Sequence, residues 1–141
     1  MRLKILGPAG VVAAMLTAPI ATDLAFAHHS HAMFDFERAV ELEGTVKEFK
    51  WTNPHSWLHI TMADEQGETV EFAIEMGSPA GLVHQGWRPT TVVPGDRVMV
   101  SIHPLRDGNN GGELRYIVLP DGRSLGEGHE NAEFPDGIPR Q

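Results

Sequence analysis

The chain of 141 residues contains no cysteine. That excludes a disulfide and lipid attachment at a lipobox cysteine. Basic residues are also scarce: 11 Lys and Arg face 19 Asp and Glu, a formal charge of −8. Phosphate backbones are held by lysine and arginine, so nucleic acid is not an expected partner. Only the N-terminal region holds an apolar run long enough to approach a membrane span of about 18 residues, so no transmembrane segment is expected downstream of it. Catalytic signatures are lacking too. "GSPAG" has proline where a nucleophile elbow needs serine. "GNNGG" has neither the lysine nor the helix of a phosphate loop. Carboxylates are plentiful, yet no acid–base pair is singled out, and an enzyme is not the expectation.

What is present begins with an export signal. Arg2 and Lys4 form a short positive region, "ILGPAGVVAAMLTAPIA" is apolar and uncharged, and "AFA" at Ala25–Ala27 offers small residues at a cleavage site. Cleavage between Ala27 and His28 would deliver a periplasmic or secreted chain. The organisation read from the sequence is a signal peptide at 1–27, a histidine-rich segment at 28–38, a barrel domain at 39–120 and a flexible tail at 121–141. From Asp121 onward glycine, proline and charge dominate.

Five stretches carry strand periodicity. In "AVELEGTVKEFKW" Val40, Leu42 and Val46 alternate with polar residues, and Gly44 at an inward position marks a bulge or sharp coil. "HSWLHITM" follows the turn "TNP", and "ETVEFAIEM" follows the turn "DEQG". A short helix then starts at Ser78 as N-cap and Pro79 as first residue and stops at Gly86, with Leu82, Val83 and Trp87 on its apolar side. Pro94-Gly95 suits a type II turn before "DRVMVSIHPL", in which Val98, Val100 and Ile102 point inward and Met99, Ser101 and His103 outward. "ELRYIVLP" is the fifth strand. Three strands, a helix and two strands give an all-β fold class: a small OB-like Greek-key barrel, with a generic β-sandwich as the alternative.

The stretch "WTNPHSWLHI", Trp51–Ile60, concentrates candidate chemistry. Side chains alternate along a strand, so Ser56, Leu58 and Ile60 share the inward face and His55, Trp57 and His59 the outward one. The neighbouring outward row is Glu71, Ala73 and Glu75. His55 and His59 stand roughly 13 Å apart along a strand, too far to share one ion. The candidate ligand-binding set is Trp51, Trp57, His59 and Glu75.

Signal cleavage would expose "HHSH". An N-terminal histidine offers its α-amine and imidazole Nδ1 to one ion, and His29 and His31 add further imidazoles. These nitrogen donors suit copper(II) first, then nickel or zinc. The candidate metal ligands are His28, His29, His31 and His55. For the last to join, the segment before strand one must fold back, with Phe34 and Phe36 as anchors against Trp51 or Trp57.

Together "HHSHAMFDFER", "LEGTVKEFKWTNPHSWLHI", "EMGSP", "GWRPTTVVPGDRV" and "LPDGRSL" resemble an exported bacterial family known only as a domain of unknown function, number six-one-five-two. The positions carrying the resemblance are His28, His29, Ser30, Met33, Phe34, Asp35, Trp51, Asn53, Pro54, His55, Gly95 and Asp96. The resemblance implies an exported β-barrel and supplies no activity. Turns explain Pro54, Gly95 and Asp96, whereas His28, His29 and His55 have no such structural reason. The leading expectation is a metal-handling accessory protein. The alternative is a module that holds a small molecule or a periplasmic protein on its Trp/His face.

Overall fold

The computed structural model describes residues 32–128. Its elements are β1 (Val40–Lys50), β2 (Trp57–Ala63), β3 (Thr69–Glu75), α1 (Pro79–His84), β4 (Arg97–Pro104), β5 (Gly111–Val118) and β6 (Ser124–Gly126). β1, β2 and β3 form an antiparallel meander, β4 pairs with the other edge of β1, and β5 pairs with β4. A parallel contact between β3 and β5 closes the ring. The result is the expected small all-β barrel of five strands, with the helix between β3 and β4. Among the described residues no helix is long and apolar enough to cross a membrane.

β1 holds two partners at once. Its residues Val40–Thr45 pair with β4, and Thr45–Lys50 pair with β2. The strand must coil to do so, and Gly44 sits at the crossing. A Cβ there would lie 2.9 Å from the Thr61 carbonyl oxygen and 3.1 Å from Ile60 Cδ1. Gly44 therefore serves close backbone approach, while the bulge falls three residues later. The register passes from Val46↔Ile60 to Glu48↔His59, leaving Lys47 as the extra residue. That extra residue reverses the alternation, so Phe49 rather than Glu48 turns inward opposite Leu58.

The core follows the inward rows. Leu58, Ile60, Ile74, Val98, Val100, Ile102 and Ile117 are fully buried. α1 closes one end of the barrel. The Ser78 hydroxyl accepts from the Gly81 N–H at 3.3 Å and Pro79 occupies the first turn. Leu82 and Trp87 are buried, whereas Val83, expected on the apolar side, is 44% exposed: the six-residue helix offers the core only one turn. Gly95 has φ +98°, as the expected turn requires.

The outward row of β4 is covered, and one expectation fails beyond it. Met99 and Ser101 do point outward, but both are buried, and Met99 joins Tyr116 and Val118 in a second apolar cluster. The sheet also continues past its expected end: Ser124–Gly126 add β6 to β5 within the stretch read as a tail. The remainder of that tail, from residue 129, lies outside the described residues.

Substituting Gly44→Val is expected to destabilise the fold by about 1–3 kcal/mol, since the neighbour it meets is backbone. An unchanged urea midpoint would show that the strands separate without cost. The Tyr116 hydroxyl donates to the Glu41 carboxylate, and burial, followed by that bond, raises its pKa above the ordinary 10.0. Between the ordinary and the raised value the unfolded chain releases the phenolic proton while the folded chain keeps it. Stability therefore falls as pH rises through that window. Tyr116→Phe is expected to flatten this alkaline slope in denaturation followed from neutral pH upward; an unaltered slope would refute the linkage.

Candidate functional site

The segment Thr52–Ser56 places the first histidine. The Asn53–Pro54 bond is cis, and the Thr52 hydroxyl donates to the His55 carbonyl at 3.1 Å. Ser56 is tied to the end of β3: its N–H donates to the Gly77 carbonyl at 3.1 Å, and its carbonyl accepts from the Met76 N–H at 2.9 Å. Ser56 thus extends the β2–β3 ladder one residue beyond the regular strand, which begins at Trp57, and His55 lies next to it. Ser56, Leu58 and Ile60 are all buried on the inward face, as the alternation requires.

The outward face carries two histidine–carboxylate pairs. β2 and β3 register Trp57↔Glu75, His59↔Ala73 and Thr61↔Glu71. Each histidine reaches diagonally across the strands. His55 Nδ1 meets Glu75 Oε1, and His59 Nδ1 lies 2.9 Å from Glu71 Oε1. An ionised carboxylate only accepts, so each Nδ1–H donates, and in the neutral ring Nε2 is then an acceptor. Trp57, partly exposed, stands between the pairs.

The pairs differ in surroundings. Glu71 is also held by Lys47 Nζ, and its carboxyl lies below the ordinary range because of Lys47 first and His59 second. Its histidine is well covered, with 17% of the side chain exposed. At the other pair the carboxylate is the covered partner. The Glu75 side chain is 9% exposed and the His55 side chain 41%. Glu75 is flanked on both strands. Opposite it on β2 is Trp57; opposite it on β5 is Glu113, which in turn faces His103 on β4. Trp57, Glu75, Glu113 and His103 form one outward row across four strands.

The segment before β1 docks at the His103 end of that row. Phe34 is buried and bridges to Leu105, Asp35 N–H donates to the Pro104 carbonyl at 2.8 Å, and Arg106 N–H donates to the Met33 carbonyl at 2.9 Å. The Phe36 ring packs on the His103 ring with centroids 4.9 Å apart. The aromatic anchors therefore grip the end of β4, not Trp51 or Trp57. Sequence alone hid this because β4 offers unpaired backbone there only once the barrel has closed. Trp51 lies apart from the histidine face. Its ring meets Phe49 edge-on at 5.6 Å, and Phe49 leans on Trp87 at 6.0 Å. Trp51 caps the core and takes no part in the outward row.

Of the expected metal ligands, His28, His29 and His31 lie outside the described residues. Among the described residues, no three histidine, aspartate or glutamate side chains come together closely enough to hold a metal ion. Of the expected ligand-binding residues, Trp57, His59 and Glu75 share the outward face. Glu113 and the Lys47–Glu71 contact were not anticipated. The first depends on the β3–β5 register, the second on the bulge at Lys47.

Residues 16–114 match a family described as Family of unknown function (DUF6152), and the chain belongs to it. No curated protein matches the chain.

Removing the stronger of Glu71's two partners tests the electrostatic order. Lys47→Met is expected to raise the Glu71 titration midpoint, read by carboxyl NMR, toward its ordinary 4.5. The group's contribution to stability is present above that ordinary value and lost as pH falls through the lowered one. It is small, because the pair is exposed. An unmoved midpoint would show that His59 alone sets it.

Proposed function

We propose that this family member is an exported metal-handling protein that binds copper(II), with nickel or zinc as weaker alternatives. In this reading His55 is the ligand from the barrel. His28, His29 and His31 are the ligands from the segment that signal cleavage would expose.

The observation that supports it is the covered carboxylate under an exposed imidazole. Metal-bound histidines characteristically donate their second ring N–H to a carboxylate or carbonyl, which fixes the tautomer and makes the ligand nitrogen more basic. Glu75 stands in that relation to His55 Nδ1, leaving Nε2 as the donor atom on the solvent side. Glu75 is thereby the positioning residue and His55 the ligand. Among the described residues no three histidine or carboxylate side chains gather to hold an ion, so in this reading the other donors come from the terminal amine and imidazoles. Amine and imidazole nitrogens suit copper(II) above the other divalent ions. His59 is excluded as a co-ligand by its four-residue separation along an extended strand, roughly 13 Å, and its ring is the more covered of the two, 17% exposed against 41% for His55.

The test is copper(II) titration of correctly processed protein beside four variants. Glu75→Gln is expected to weaken binding about 10- to 100-fold, the usual effect of removing such a partner. His55→Ala is expected to weaken it further. One alanine inserted before His28 is expected to do the same by displacing the amine from its imidazole. His59→Ala is expected to change little. If all five proteins bind alike, the terminal histidines form an incidental cluster, and a non-metal binding module built on Trp57 and His59 replaces the metal reading.

A further inference from the structure

The outer edge of β3 is closed along only part of its length. Its last residues, Ala73–Glu75, meet β5, while Thr69–Phe72 have no strand beside them on that side among the described residues. The direction of the backbone groups follows from the hairpin. At one end of the β2–β3 ladder the Asp64 N–H donates to the Glu68 carbonyl at 2.9 Å, and at the other the Met76 N–H donates to the Ser56 carbonyl at 2.9 Å. Both bonds fall on even-numbered residues, and the register between them is unbroken. Bonding residues alternate along an antiparallel pair. The groups of Val70, Phe72 and Ile74 therefore face β2, and those of Thr69, Glu71 and Ala73 face away. The Ala73 N–H agrees, donating to the Asn110 carbonyl at 3.3 Å. Thr69 and Glu71, both exposed, thus present their N–H and C=O groups along the line that a longer β5 would fill.

The inner side of this edge is apolar. Toward α1 the inward residues Leu58 and Ile74 are fully buried. At the opposite end Met62, Val70 and Phe72 are only half-buried. The helix does not reach them, because it lies at the Gly77 end, where a Cβ on Gly77 would touch Leu82. Proline, a bulge or an inward-pointing charge ordinarily protects an exposed edge. Thr69–Phe72 has none of these. Its outward charge, Glu71, is already held by Lys47 and His59.

We infer that this edge is a docking site for an extended, basic segment of another protein, which adds as a strand beside Thr69–Phe72. Backbone bonds to Thr69 and Glu71 hold the segment, and its alternate apolar side chains cover Met62, Val70 and Phe72. Charge selects such a partner over a second copy of this chain. The hairpin leading into the edge carries Asp64, Glu65 and Glu68, and the chain's formal charge is −8. Two copies edge to edge repel, whereas a lysine- or arginine-bearing strand is attracted. This surface uses neither His55 nor Glu75 and goes beyond the metal reading.

The probes are three acetylated and amidated peptides: Lys-Val-Lys-Val-Lys, its acidic counterpart Glu-Val-Glu-Val-Glu, and the rearranged Lys-Lys-Lys-Val-Val. Each is titrated into the processed chain, and amide hydrogen exchange is followed by NMR. Binding of the alternating basic peptide alone, with exchange slowed at Thr69 and Glu71, is the expected result. Thr69→Pro removes an outward N–H and no bond to β2, at a strand start where proline is tolerated. It is expected to weaken binding about tenfold, the loss of one backbone bond. Glu68→Lys leaves the edge intact and is expected to weaken binding of the basic peptide about threefold. The inference is overturned if no peptide binds, or if the acidic or rearranged peptide binds as well as the first. It is equally overturned if the protection falls elsewhere, or if either variant, folded, binds as before. Protection of Thr69 and Glu71 that rises with chain concentration alone would make the occupant a second copy and overturn it too. Because these variants leave His55 and Glu75 in place, the outcome is independent of the copper titration.

Discussion

Barrel closure rests on a parallel contact of three residue pairs, Ala73–Glu75 against Gly111–Glu113. Everything else in the sheet is antiparallel and joined through neighbouring strands or turns; this contact alone converts an open sheet into a barrel. It is possible because two of the three residues on β5 are glycine. A Cβ on Gly111 would come within 2.7 Å of the Ala73 carbonyl oxygen, and one on Gly112 would run into the His103 carbonyl oxygen. Real side chains do not tolerate such separations from backbone. The glycines thus let the β3 and β4 edges converge on one short strand, and Asn110 contributes its carbonyl to Ala73 N–H at 3.3 Å just before them.

That closure dictates the electrostatics of the outward face. By setting Glu75 opposite Glu113 it puts two carboxylates on adjacent strands, an arrangement that costs energy unless each carboxylate has compensation of its own. The compensation visible on the β2 side is the His55 imidazole, which donates to Glu75. On the β4 side His103 stands directly opposite Glu113 and is fixed by Arg38 and Phe36. The same geometry repeats in a milder form further along β2 and β3. There Glu71 has both Lys47 and His59, and no second carboxylate faces it across the ladder. Histidine, which can donate while neutral, recurs on this face because each carboxylate needs a donor that does not require a full positive charge.

Much of the fold was legible because its determinants are local. Alternation in "WLHIT" and "VEFAIE" fixes which side chains enter the core, and Ser78-Pro79 starts the helix by a mechanism confined to one turn. The register of β1 was less legible. Gly44 and the bulge at Lys47 both relieve the same strain, and the sequence offers the glycine as the obvious place for it. The structure divides the work: Gly44 admits the neighbouring backbone, and Lys47 resets the alternation so that Phe49 faces the core. β6 escaped notice because three residues carry no periodicity. Its pairing is determined by β5, whose C-terminal half has a free edge where β3 ends.

The outward site divides along the same line. Alternation says which side of the sheet a residue occupies, so the outward position of His55, Trp57, His59, Glu71 and Glu75 follows from sequence. Alternation does not say which residues across the ladder touch. His55 reaches Glu75 from two residues before regular β2, beside Ser56, which is bonded to Met76 and Gly77 past the end of β3. Glu113 lies 38 positions further along the chain and enters the row only through closure. The sole trace of that closure in the sequence is "GNNGG", which composition alone marks as a loop. A pair of glycines beginning a strand, where β-branched residues would be favoured, is the signal that another backbone must pass at that point.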